Sequence, residues 1–555
     1  MSTALATMYA STAYQQLTGM KQTCTRISLP LEDASTSIFE AAGGKQSFVG
    51  STHPSLDSDH QLDRQKLQPG FSSKYGDVSI TSTIWVAVVI VMYMVLLLSR
   101  IFRSPIWRIP GPKVTAFTRI YEFYYNALKA NTYSYRILAL HQSYGPIVRV
   151  NPNEVHIDDP DFGLHFGTNL LKQKDPWYYN TRVSSATAIV TELEYHKLRR
   201  TTEAAELVPR LMGQGPAVIQ TKSKLLCRRL RQYARHRAPV NLSNGFRSIA
   251  RDCLSIIFTG TCNELLVQED LGHQDLIWSR GVFRYLALTR QLPSLVGLEK
   301  YLPARAFQYF FPLLYAKQRL ERFVTGRVRE GSLSDGSKCF AQGVASGKTP
   351  VDLNGVVDEV VGSFVAGSEA IGHSLTHIAY HLMQQPGLVA QLREELERNG
   401  FDTGISPRQI HRRFPLLVEG FRTQRGNTFR FPRVAEQDME YSGYFIPAGT
   451  VISMTPLDTN LNHEIFPNPD IFQPTRWLGP ECDKLDRYLS TFGYGSRKCL
   501  AATFNVMMIE YVLAFTVSQF DIAPLHDQVE WPQDGSLEMF PPHSALGLMA
   551  HVSLA

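Results

Sequence analysis

The sequence predicts a mainly α-helical chain with small β-sheets, forming one large domain behind a membrane anchor. Three observations predict it. Apolar residues recur at helical spacing over long stretches, strand-like runs are short and few, and one uncharged run is long enough to span a bilayer. No internal repeat of about 20–50 residues divides the chain.

Residues 1–77 come first. They are rich in Ser, Thr, Ala and Gln, carry no sustained periodicity and read as a disordered extension. They do not read as a cleavable signal, because the apolar run that follows is too long and too far in. That run, residues 78–99, holds no charged residue between Asp77 and Arg100, and its apolar heart is Ile84–Leu98. About 20 residues cross a bilayer, so this stretch reads as a transmembrane anchor. Arg100, Arg103, Arg108 and Lys113 follow at once. Such residues favour the cytoplasmic side, which puts the remaining chain, residues 100–555, in the cytosol.

The Ile109-Pro110-Gly111-Pro112 stretch is a stiff hinge. Gly145–Val150 and Val155–Ile157 read as a hairpin around Asn151-Pro152-Asn153. Leu225–Tyr233, Leu313–Val328, Val356–Met383 and Pro386–Arg398 carry helical spacing, and strand signals return at Phe429–Val434 and Tyr444–Ile452.

Composition excludes several classes. The chain is 44% hydrophobic and 19% charged, with a net charge of +6 that is not gathered into a stripe, so a nucleic-acid binder is not indicated. Its 7 cysteines are odd in number and form no C-x-x-C pair. That argues against a disulfide framework or a zinc site and fits a reducing compartment.

The residues that carry chemistry cluster near the C-terminus. In Phe492-Gly493-Tyr494-Gly495-Ser496-Arg497-Lys498-Cys499-Leu500-Ala501, the glycines permit a tight turn. An apolar helix follows, so Cys499 stands at a helix N-terminus beside Arg497 and Lys498, an environment that favours thiolate. A lone cysteine in a glycine turn is ordinarily structural. The complete loop, however, resembles the F-x-x-G-x-R-x-C-x-G signature of the cytochromes P450, with Ala501 in place of the last glycine. The resemblance implies the P450 fold in a single large catalytic domain. It also implies haem b as cofactor, with Cys499 as axial thiolate ligand to the iron and Phe492 in the haem-binding loop.

Other motifs follow in the family's order. Glu419-Gly420-Phe421-Arg422 and Phe472-Gln473-Pro474-Thr475-Arg476-Trp477 are similar to the K-helix and F-x-P-x-R-W segments, in which a Glu–Arg–Arg network braces the haem core. Glu395-Leu396-Glu397-Arg398 also has the spacing but lacks the sequel. The resemblance gives the haem propionates to Arg430, Arg497 and Arg200, with His196 in the same basic helix. Asp175–Tyr179 resembles a segment before the B–C loop of fungal secondary-metabolism members, and the aromatic stretch Trp278–Phe323 an apolar pocket roof.

Val361–Ala370 resembles the oxygen-activating I helix. There Ala366 and Gly367 make room for dioxygen and Glu369 feeds protons. The usual threonine is replaced by Ala370, which cannot hold a relay water. A substrate hydroxyl or Ser374 standing in, chemistry without net oxygen insertion, and a fold that has lost turnover are the readings this leaves open.

The resemblance thus implies a monooxygenase acting with O2 on a lipophilic small molecule, such as a terpenoid or polyketide of fungal secondary metabolism. No G-x-G-x-x-G follows a strand, so electrons come from elsewhere; the resemblance implies an external NADPH–cytochrome P450 reductase on the same membrane. The expected location is the endoplasmic reticulum, single-pass, with the catalytic domain cytosolic. Rearrangement or dehydration at the same haem is the alternative.

Overall fold

The computed structural model describes residues 80–129, 132–165, 171–179, 185–273, 275–276, 288–295, 303, 309, 312–330, 339–345, 351–398, 415–424, 429–525 and 547–555. The extension at 1–77 and most of the aromatic stretch from Trp278 to Phe323 lie outside them. The chain divides into two units at Leu96/Leu97, each described by itself.

The uncharged run forms one helix, α1 (Ile80–Arg103), whose side chains from Ile84 to Val95 are exposed where described. Among the described residues no helix is long and apolar enough to cross a membrane, the described side chains of α1 running only over that short stretch.

Beyond α1 the long helices are α2 (Tyr133–Tyr144), α3 (Leu193–Gly213), α4 (Gly215–His236), α5 (Leu242–Thr259), α6 (Pro312–Glu330), α7 (Leu353–Gln384), α8 (Pro386–Arg398), α9 (Pro415–Thr423) and α10 (Ala502–Val517). The strands are β1 (Ile147–Asn151), β2 (Glu154–Ile157), β3 (Val240–Asn241), β4 (Arg433–Val434), β5 (Met439–Tyr441), β6 (Tyr444–Ile446), β7 (Val451–Ser453), β8 (Phe520–Pro524) and β9 (Met549–Leu554). The mainly α prediction with small sheets holds. One sheet runs β1-β2-β7-β4, a second β3-β9-β8, and β5-β6 is a hairpin.

The central helix α7 is buried along most of its length because its apolar residues face several helices at once. It crosses α5 closely. A Cβ on Gly372 would stand 2.3 Å from Arg247 Cγ and 3.0 Å from Arg247 Cα, so only glycine permits the approach. Asp352 caps its start, accepting from the Gly355 N–H at 2.9 Å. The main core joins α3, α4, α5, α7, α9 and α10, and a separate apolar cluster sits under the first sheet.

The predicted hairpin pairs Ile147 with Ile157 and Val148 with His156. The strand expected over Phe429–Val434 shrinks to Arg433–Val434, because Phe431 takes a positive φ of 46° that breaks the extended run. The strand expected over Tyr444–Ile452 divides at Pro447-Ala448-Gly449, where Gly449 has φ +85°.

Candidate haem-thiolate site

The cysteine loop is closed on itself. The Cys499 N–H donates to Phe492 O (2.9 Å), Gly493 N–H to Ser490 O (2.9 Å) and Lys498 N–H to Gly495 O (3.1 Å). Gly493 and Gly495 have φ of +72° and +67°, which side chains resist. Phe492 packs edge-on against Phe421 of α9 (5.4 Å), and the Thr491 hydroxyl donates to Phe421 O (2.9 Å). The loop is thereby fastened to the helix that carries Glu419.

That helix supports it through one carboxylate. Glu419 Oε1 accepts from Arg422 Nη2 (2.7 Å), Arg476 Nε (3.0 Å) and the Gln473 N–H (2.9 Å). Oε2 accepts from Arg422 Nε (3.0 Å) and Trp477 Nε1 (2.9 Å). The competing Arg398 instead makes an exposed pair with Glu394.

Cys499 is solvent-accessible. Yet burial raises its thiol pKa, against the lowering expected from the sequence. The Ala501 N–H and the charges of Arg200 and Lys498 pull it down but do not prevail. The helix begins only at Ala502, so its terminus acts from further off than expected.

Basic groups from four parts of the chain gather beside this loop. Arg497 Nη1 donates to Val190 O (2.9 Å), while its Nε and Nη2 are buried with no hydrogen-bond partner among the described residues. Burial, then Arg433 and Arg200, lower its pKa to about 10. Buried Lys174 is pushed down by burial, then by Arg433, Arg497 and Arg200. Buried His196 falls to about 3 through burial, then Arg497, Lys174, Arg200 and Arg433. Arg200 Nη2 donates to Lys498 O. Such mutual repulsion around buried, unsatisfied donors calls for a multiply charged anion. The two propionates of a haem, above a free thiol, fit that demand.

Arg430 is not part of this group. Its Nε donates to Glu154 Oε1 (2.9 Å) and its Nη2 to Glu122 Oε1 (2.9 Å), all fully buried under the first sheet. Arg433, three residues on, is the arginine whose charge bears on Arg497, Lys174 and His196.

On α7, Ala366 is exposed while Gly362, Ser363, Gly367 and Ala370 are half-buried, so this face opens on a recess. A Cβ on Gly367 would lie 2.7 Å from Leu254 Cδ1, which ties that glycine to the α5 contact. Glu369 is buried and held by Arg247 Nε at 2.8 Å. Ser368 accepts from Arg251 Nη2 (3.1 Å). Ser374 gives its proton to Gln424 Oε1 (2.5 Å). A strap of residues 185–190 joins α7 to the cysteine loop. Ser185 N–H and hydroxyl donate to Asp358 (2.7 and 2.8 Å), Thr187 N–H to Glu359 (2.8 Å), and Val190 O receives Arg497.

A family model for cytochrome P450 matches residues 118–546. The chain belongs to the cytochrome P450 family. It is similar to cytochrome P450 monooxygenase MO6277 of Ascocoryne sarcoides, 30% identical over 474 residues that cover 78% of this chain and 90% of the relative. Cytochrome P450 monooxygenase aflU of Aspergillus parasiticus is 30% identical over 451 residues, with the same coverage. N-acetyltryptophan 6-hydroxylase ivoC of Emericella nidulans is 28% identical over 452 residues, 77% of this chain and 88% of the relative. These are fungal P450s, and the chain is a haem-thiolate P450 monooxygenase of that type.

For this P450 the structure brings together Cys499, Arg497, Arg200 and His196, with Phe492 behind them. It sets Ala366 on the open face and turns Gly367 and Glu369 toward α5. The sequence reading missed Lys174, Arg433, Glu203 and Glu359. Lys174 precedes the Asp175–Tyr179 segment, whose aromatics serve as platforms for cations. Arg119 lies 3.6 Å over Trp177, Arg290 3.8 Å over Tyr178 and Lys174 4.4 Å over Tyr179.

Proposed function

We propose that this P450 inserts one oxygen atom from O2 into a lipophilic small molecule of secondary metabolism, with electrons from an NADPH-dependent P450 reductase. The observation that carries this is the conjunction of a free Cys499 thiol with the mutually repelling cations Arg497, Arg433, Arg200 and Lys174, of which Arg497 keeps two buried donors without a partner among the described residues. A bound haem would supply O2 activation, which thiolate ligation promotes. Cys499 would ligate the iron as thiolate, the metal overturning the burial that now favours the thiol. Arg497, Arg433, Arg200 and Lys174 would hold the propionates and fix the ring's orientation. The small residues Gly362, Ala366 and Ala370 leave room on the facing side, and the apolar α7 surface excludes bulk water. The names of relatives, among them conidiogenone synthase of Penicillium rubens and tryptophan 6-hydroxylase of Fusarium equiseti, support a small-molecule substrate, which we take to be a terpenoid or polyketide.

Chemistry without net oxygen insertion is the second reading. Ala370 and the commitment of Glu369 to Arg247 favour it.

We further propose that α1 anchors the enzyme in the endoplasmic reticulum membrane with residues 100–555 in the cytosol. Its 24 residues rise about 36 Å, against a hydrocarbon core of about 30 Å.

The test is the reduced carbon-monoxide difference spectrum of haem-loaded protein. Wild type should show the strongly red-shifted Soret band of thiolate ligation and Cys499→Ser should lose it. A wild-type band at the position of histidine or neutral-thiol ligation overturns the assignment. Labelled dioxygen then separates the two reactions, since only insertion carries the label into product.

A further inference from the structure

Two carboxyl groups that no step above uses meet beside the recess. Glu203 of α3 and Glu359 of α7 are both buried. Arg199 pairs with one of them, its Nη2 lying 3.0 Å from Glu359 Oε2. Thr187 of the strap joins both, donating its N–H to Glu359 (2.8 Å) and its hydroxyl to Glu203. Thr187 thus holds the two acids side by side. A pair of buried carboxylates against one arginine leaves an uncompensated negative charge, and retaining a proton is the cheapest remedy. Burial and the Glu359 charge accordingly raise Glu203 to about 8.

The pair is placed to use that proton. Positions 359, 363, 366 and 370 follow the i, i+4, i+7, i+11 stripe of α7. Ser363 is thus one turn from Glu359 and one turn from exposed Ala366. The usual relay groups are absent or engaged. Position 370 is alanine, Glu369 is held by Arg247 and Ser374 by Gln424.

We propose that the Glu203–Glu359 pair, sharing one proton, is the acid that supplies protons to the recess, passing them through Ser363 and water along α7. This rests on the reading that the recess holds the haem. In the step, one O–H bond of the pair breaks and its proton moves to water hydrogen-bonded at Ser363, leaving two carboxylates beside Arg199. A proton from solvent then returns at the adjoining Ser185–Asp358 contact, which is exposed. Other ionisable groups nearby are Glu206, paired with Arg210 at 3.0 Å, and Asp358 itself. A donor with a pKa near the working pH is the most effective general acid.

The experiment uses the haem-loaded full chain. Infrared difference spectra between pH 6 and pH 9 should show a protonated-carboxyl C=O band that titrates away on the alkaline side. Glu203→Gln should lose that band and Glu203→Asp should keep it. With the reductase and a lipophilic compound chosen because it shifts the resting spectrum, Glu203→Gln should lower product formed per NADPH about 100-fold and erase the alkaline limb of the pH profile. Glu203→Asp should recover much of both. Absence of the wild-type band at neutral pH overturns the proposal, as does a Glu203→Gln enzyme with wild-type yield and pH profile. Failure of the haem reading is seen separately, as a missing thiolate-type Soret band in wild type.

Discussion

Glu419→Gln removes one charge from a carboxylate that is wholly buried and accepts from five donors. The amide must turn its NH2 toward one set of them. Set on the Oε2 side, it faces Arg422 Nε and Trp477 Nε1. Set on the Oε1 side, it faces Arg422 Nη2, Arg476 Nε and the Gln473 N–H. Either way donors meet a donor, and Arg422 is left buried without a counter-charge. Breaking a buried pair from one side costs about 3–5 kcal/mol. Glu394→Gln, which breaks the exposed pair with Arg398, should cost under about 1 kcal/mol. Urea denaturation followed by far-UV circular dichroism measures both. Burial alone would raise the Glu419 carboxyl, but the bonds and charge of Arg422 hold it below the usual range. A depressed folded pKa adds stability above the unfolded value, lost as pH falls through the folded one. The gap between wild type and Glu419→Gln should therefore narrow below about pH 4. A Glu419→Gln loss within 1 kcal/mol of the control would refute the view that this carboxylate braces the site.

Arg433→Ala should lower haem content per protein while leaving the urea midpoint near wild type, whereas Arg430→Ala, by stranding Glu122 and Glu154, should cost about 3–5 kcal/mol; equal haem loss with equal stability in both would contradict the division of roles. Glu203 has a folded pKa raised to about 8, so stability is full below the unfolded carboxylate range and is lost as pH rises toward and through 8. Melting temperatures of wild type should thus fall between pH 5 and pH 8, and Glu203→Gln should flatten that slope; parallel slopes would count against the shared proton. Arg247→Met removes the cation bonded to buried Glu369 and should cost about 3–5 kcal/mol, measured by the same denaturation; an unchanged midpoint would show that the pair contributes nothing.

What could be read from the sequence was local. The cysteine loop is legible because its constraints are its own, with glycines in left-handed conformations and a hydrogen bond from Cys499 back to Phe492 seven residues earlier. Glu419 was separable from Glu395 only by the order of the motifs that follow it. Choices that depend on distant partners were not legible. Arg430 and Arg433 lie three apart in one basic run, and Glu122 and Glu154, 308 and 276 residues away, claim the first. Glu369 reads as a free acid beside an Ala-Gly pair, because nothing local announces Arg247, 122 residues upstream. The thiol was misjudged for a different reason. Helix terminus and neighbouring cations are visible in sequence, whereas desolvation, which outweighs them, exists only once the loop is packed.

The strap at 185–190 joins two places that are each out of electrostatic balance. At its far end Val190 O and Ala188 O hold Arg497 and Lys174 in a crowd of cations. At its near end Ser185 and Thr187 bind Asp358, Glu359 and Glu203, with Arg199 bridging back to Ser185 O at 2.6 Å. Neither imbalance is tolerable in a low dielectric without a remedy. A haem's propionates would correct the first and a retained proton the second. Because the same backbone segment positions both, loss of the dianion should loosen the hydrogen bonds that hold the acids, and charging the acids should loosen the strap's hold on Arg497. Haem retention and the protonation of Glu203 are therefore linked, and alkaline pH should accelerate haem loss in wild type more than in Glu203→Gln.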